Sequence, residues 1–75
     1  MKKYGIVTRY NGFTGNIKGI DSIDYRFFKE DLINKDDSFE ENQHVEFEGE
    51  EIKKTDFTFY RASYVKVLKK DIKNN

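Results

Sequence analysis

The chain contains no cysteine and no proline, has a single histidine, and has no apolar run approaching the roughly 20 residues of a membrane span. Without cysteine, no disulfide framework or thiolate metal site can stabilise the fold, and a reducing cytoplasm is a compatible setting. With His44 alone and no thiol, a transition-metal site lacks its usual ligands. Met1-Lys2-Lys3 is not followed by the apolar core of a signal peptide, so the sequence reads as soluble and cytoplasmic, with no membrane association. No phosphate-cradling glycine loop or nucleophile arrangement is present. The carboxylate pairs Asp36-Asp37, Glu40-Glu41 and Glu50-Glu51 fall in charged loops rather than in a pocket that would separate their environments. An enzyme is therefore not expected, and neither is a cofactor or a metal.

The 75 residues suffice for one small domain, read as residues 1–70 with 71–75 as a disordered tail. The formal net charge is zero, but it is unevenly spread. Residues 1–20 carry four bases and no acid, residues 21–56 carry thirteen acids against five bases, and residues 57–75 carry five bases against one acid. If the two ends pair in space, a basic sheet lies beside an acidic one; the alternative is ordinary solvated charge. A monomer is expected.

Strand signals dominate. Tyr4 to Asn11 is rich in β-branched and aromatic residues and meets a turn at Gly12, and Thr14 to Ile20 forms a second short strand. Ile23 to Phe28 alternates, with Ile23, Tyr25 and Phe27 on one face and Asp24, Arg26 and Phe28 on the other. Lys29 to Leu32 fits a single helical turn, and Asn34 to Asn42 a polar loop anchored by Phe39. Gln43 to Glu48 alternates again, Gly49 to Asp56 reads as a charged hairpin connection, and Phe57 to Leu68 is the last and longest strand. Five strands with short connections predict an all-β, closed barrel of five antiparallel strands, because closure removes exposed edges; an open meander or a different small barrel is the alternative.

The order and spacing of several motifs resemble the cold-shock domain family. They are Gly5, Val7, Tyr10 and Asn11 in the first strand, Gly15-x-Ile17 in the second, and Asp24 through Leu32 against the family's D-V-F-V-H-F-S-A-I. Phe39 to Phe47 follows the family's L-x-E-G-Q-x-V-x-F, and Ala62 and Val65 fall at its A-x-x-V. The resemblance runs from about Gly5 to Leu68. It implies an OB-fold barrel that binds single-stranded RNA or DNA, with Val7, Ile17, Tyr25, Phe27, Leu32, Val45, Phe47 and Val65 inside. Asn42 stands at the family's glycine, and asparagine tolerates the left-handed conformation better than most residues.

The family stacks bases on outward aromatics, and most of these are replaced here. Arg9 takes the tryptophan position of the first strand, Thr14 and Asn16 take two phenylalanine positions, and Arg26 and Lys29 take two more. A guanidinium is planar and can both stack on a base and pair with a phosphate, so Arg9, Arg26 and Lys29 would shift the surface from stacking towards electrostatics. Phe28 is the best remaining stacker, with Phe13 or Tyr10 as a second; Phe13 fits the barrel rim equally well. Asn16 can read a base edge, and Tyr60-Arg61 opens the last strand near the family's ligand. Tyr64 is expected to pack and His44 to face solvent. The alternative is a protein-interaction module that kept the barrel and lost nucleic-acid binding, motivated by the thinned aromatic face and the acidic middle segment.

Overall fold

The computed structural model describes residues 2–33 and 42–68. The expected loop anchored by Phe39, the acidic pairs Asp36-Asp37 and Glu40-Glu41, and the tail at 71–75 lie outside the described residues. Strands β1 (Lys2–Tyr10), β2 (Thr14–Gly19) and β3 (Asp24–Phe28) are followed by a 3₁₀ turn at Lys29–Asp31. Then come β4 (His44–Lys53) and β5 (Thr58–Val67). The sheet closes in the order β1-β2-β3-β5-β4.

The barrel is mixed rather than wholly antiparallel. β1 pairs antiparallel with β2 and β4, β2 with β3, and β4 with β5, whereas β3 and β5 run parallel through Arg26 and Arg61. The reason is parity: around a closed ring of five strands, direction cannot alternate at every step, so one seam must be parallel. Leu32 extends that seam by a parallel bridge to Val65.

Alternation builds the interior. Val7, Ile17, Tyr25, Phe27, Leu32, Val45, Phe47 and Val65 are all buried, and Ala62 joins them. Each large apolar side chain contributes about 1.5–3 kcal/mol on leaving water. Gly15 faces inward under Phe27; a Cβ there would stand 2.6 Å from Phe27 Cζ, so only glycine lets the ring lie flat on β2. Asn42 adopts the left-handed backbone at φ 72°, and its N–H donates to the Val7 carbonyl at 2.6 Å. Val7 N–H in turn donates to Gln43 at 2.8 Å, which fastens the entry of β4 to β1.

Two bulges reset the alternation. Val7 opposes Ile17 while Arg9 opposes Asn16, so Thr8 is the additional residue on β1. That slip sends Val7 inward, Arg9 outward, and Tyr10 back over the core. On β5, Ser63 opposes Glu48 and Lys66 opposes Glu46, which leaves Tyr64 and Val65 across from Phe47. Val65 takes the interior, and Tyr64 is turned out at φ 51° with 68% exposure. The packing expected of Tyr64 is thus corrected: the bulge has one inward place, and valine fills it.

The charge layout also differs from a basic sheet beside an acidic one. β1 and β5 do not pair with each other; both flank β4. Lys2 Nζ lies 3.3 Å from Glu46, while Glu46 opposes Lys66 and Glu50 opposes Arg61. The basic ends therefore interleave with the acidic strand. β4 is also longer than expected. Gly49 to Lys53 is paired strand, with Glu51, Ile52 and Lys53 opposite Tyr60, Phe59 and Thr58, so that the hairpin turn shrinks to the residues around Lys54 to Phe57.

Candidate nucleic-acid interface

The outward row of β3 is Asp24, Arg26 and Phe28, and register sets Lys18, Asn16 and Thr14 of β2 beside them in that order. Across the parallel seam, Arg61 of β5 is level with Arg26. An open groove of about 500 Å³ follows this seam. Asn16, Asp24, Arg26 and Phe28 line its β2–β3 side, and Phe57, Phe59 and Tyr60 line the β5 side, with Thr58 between the two phenylalanines. The rings of Phe57 and Phe59 stack at 5.9 Å and 25°. Phe57 and Phe59 are two apart and share a face, while Thr58 and Tyr60 on the alternate face also reach the groove.

Phe28 is held by two contacts that meet in an Asp31–Arg61 pair. Its N–H donates to Asp31 Oδ2 at 2.8 Å. Asp31 is buried and takes Arg61 through both carboxylate oxygens, at 3.0 and 3.2 Å from Nη2 and 3.3 Å from Nε. The same guanidinium lies 5.0 Å from the centroid of the Phe28 ring. A planar cation fixed by a carboxylate and laid on an aromatic ring keeps that ring in one place. Arg61 does not line the groove; Phe28 does.

Asn16 sits between two arginines. Its Oδ1 accepts from Arg9 Nη2 at 3.1 Å, which leaves its amide nitrogen as the group able to donate to a ligand. Arg26 is exposed and makes no ion pair among the described residues. Asp24 is the acid of the groove, countered by Lys18 Nζ at 3.7 Å.

At the end of β3 nearest Lys3, the polar groups satisfy one another. Tyr25 donates its hydroxyl to Asp21 Oδ2 at 2.7 Å, and Lys3 Nζ lies 3.4 Å from the same oxygen. Burial, reinforced by the Asp21 carboxylate, pushes the Tyr25 phenol up to about 12. The Tyr25 hydrogen bond, helped by the Ile23 N–H and Lys3, holds Asp21 below its ordinary value against a smaller opposing cost of burial.

Of the residues expected to contact nucleic acid, Asn16, Arg26, Phe28 and Tyr60 come together on the groove. Arg9 is adjacent to it through Asn16. Tyr10 lies half-buried, stacked on Phe27 at 5.4 Å and 23°. Phe13 projects from the β1–β2 turn with 75% exposure, rather than tucking into the rim. That turn is built by Asn11, whose Oδ1 accepts the Phe13 and Thr14 N–H groups, with Gly12 at φ 97°. The Phe13 carbonyl accepts from the N–H of Lys29, which is exposed on the 3₁₀ turn. His44 is exposed. Phe57 and Phe59 were not singled out from the sequence; their signal was the aromatic i, i+2 spacing just after a charged turn.

No protein-family model matches the chain, and no curated protein matches it in sequence. Among solved structures, a segment of Drosophila Unr containing cold-shock domains (CSD456) superposes with a TM-score of 0.74 at 15% identity, over 99% of this chain. The chain spans 29% of the length of that structure. At such identity the match speaks to architecture: this barrel has the cold-shock domain fold.

Proposed function

We propose that the chain binds single-stranded nucleic acid, RNA or DNA, in the groove between β3 and β5. The observation that carries this reading is the groove itself, where aromatic faces at Phe28, Phe57, Phe59 and Tyr60 surround Arg26 and the amide of Asn16. Aromatic rings accept unpaired bases irrespective of sequence, and guanidinium groups meet phosphate. Arg26 faces the phosphates of the strand, with Arg9 and Lys29 beside it, while Asn16 donates to a base edge. Asp24 repels phosphate at its end of the groove, so the backbone keeps to the rim and the bases point inward. Arg61 serves as the support of Phe28.

Three phosphate contacts give a slope of about −2 in log affinity against log salt for a single strand. Fluorescence anisotropy with a labelled strand of roughly seven nucleotides, from about 50 to 200 mM salt, measures it. Absence of binding at the lowest salt overturns the reading.

One observation favours the alternative of a protein-contact module. Ile33 and Tyr64 are exposed beside Glu30 on a second groove, with the bulge in β5 holding Tyr64 outward. A barrel serving that purpose alone leaves every amide resonance unmoved when oligonucleotide is added.

A further inference from the structure

We infer that Phe57 and Phe59 form a nucleobase-stacking subsite at the β4–β5 turn, taking the next unpaired bases of the strand that Phe28 engages. The inference rests on the proposed binding in the groove and sets the strand's path: across β3 onto β5 rather than along β1 and β2. On β1 and β2 beside the groove, the outward positions Arg9, Thr14 and Asn16 offer no aromatic face; Tyr4, exposed further along β1, stands opposite Glu46 of β4 and does not line the groove.

Phe57 is 58% exposed, at the tip of a hairpin rather than against a core. An exposed Phe57 ring stacked on the half-buried Phe59 gains little for the fold but presents a flat apolar surface of the right kind for a base. The surface is preformed. Lys54 N–H donates to the Phe57 carbonyl at 2.8 Å, which closes the turn, and Phe59 is paired opposite Ile52 in the β4–β5 ladder. Little ordering is then left for the ligand to impose.

The surrounding charge suits a polyanion's bases rather than an apolar peptide. Lys53 at the end of β4 and Lys54 on the turn are exposed near Phe57, and Arg26 lies across the groove. Of the nearby acids, Asp24 is countered by Lys18, and Asp56 sits on the turn itself. Cations on both rims with rings between them are the arrangement that lets phosphates run along the edges while bases turn in. A separation of 5.9 Å between the two rings does not admit a base between them. Stacking is therefore on the open face of Phe57 and on the groove side of Phe59.

The test compares Phe57→Ala, Phe59→Ala and Phe57→Trp with the unaltered chain and with Ile20→Ala, a change at an exposed residue outside the groove. The same labelled strand is titrated into each, after an amide spectrum has established that the fold is kept. Each alanine variant is expected to bind about five- to a hundred-fold more weakly. Ile20→Ala should match the unaltered chain, and Phe57→Trp should bind tightly with its indole fluorescence quenched by the strand. If Phe59→Ala loses the fold, Phe57→Ala and the tryptophan signal decide the matter alone. Binding by the unaltered chain with both alanine variants within twofold of it, or an unquenched tryptophan, overturns the subsite and leaves the groove at Phe28 standing. No binding by the unaltered chain overturns both.

Discussion

Across β1 and β4 the barrel wall neutralises itself, with Lys2 against Glu46 and the Lys3–Asp21–Tyr25 cluster closing one end. Across β3 and β5 the wall does the opposite: Phe28, Phe57 and Phe59 face a groove, and Arg26 has no carboxylate partner among the described residues. Both walls share one interior and differ only in what alternation turns outward. The first pairs its charges around Tyr4 and Ile6, which are 42% and 36% exposed. The second keeps flat apolar faces and a free cation, which a fold alone does not require. The lesson is that a fold can lose the aromatics of one pair of strands and present others at a different seam.

The comparison breaks completely if the shared interior fails. Phe27→Ala empties a fully buried position against Gly15 and beside Tyr10, and is expected to destabilise by about 3–5 kcal/mol in urea unfolding. Next comes the support of the binding wall. Asp31→Ala removes the acceptor of both Arg61 and the Phe28 N–H and should cost about 1.5–3 kcal/mol. The same variant should also weaken oligonucleotide binding; if stability falls while affinity holds, Arg61 does not position Phe28.

The self-satisfied wall is sharpened by pH. Tyr25 has its folded pKa raised from 10.0 to about 12, so its contribution is complete below pH 10 and is lost as pH rises through about 12. The loss is on the order of 3 kcal/mol by linkage. Asp21 has its folded pKa lowered from 3.8, so its contribution is present above that pH and lost as pH falls through the lower folded value. Thermal unfolding of Tyr25→Phe should show a flatter alkaline limb, and an unchanged limb speaks against the cluster. The binding wall is sharpened by contrast: Phe28→Ala should weaken strand binding by about 1–3 kcal/mol. Lys66→Ala, on the strand end beside β4, should change it by less than about 0.5 kcal/mol. Smallest of all, Lys2→Ala should alter stability by no more than about 1 kcal/mol, as an exposed ion pair does.

Much of the interior was legible because period-two alternation states which side a residue takes. Tyr25 and Phe27 inside with Arg26 outside follows from the pattern alone. Asn42 was legible from its tolerance of positive φ. What alternation omits is where the period slips and which strands become neighbours. Tyr64 was placed on the wrong side because the β5 bulge cannot be seen in a run of strand-forming residues. The interleaving of charge was hidden because closure sets β4 between the two basic ends, a fact of topology and not of composition. Phe57 and Phe59 were passed over for a related reason. Gly49 to Asp56 looks like a loop by its charge, yet it pairs as strand as far as Lys53 and carries the aromatic pair out over the seam.

Ligand that meets the β3–β5 wall and not the β1–β4 wall leaves a distinct pattern in an amide NMR titration with a short single strand at low salt. Shifts are expected at Arg26, Phe28, Phe57, Phe59 and Tyr60, with Lys2, Tyr4 and Glu46 silent. Shifts centred on β1 and β4, or a spectrum that does not respond at all, would contradict binding at the β3–β5 wall.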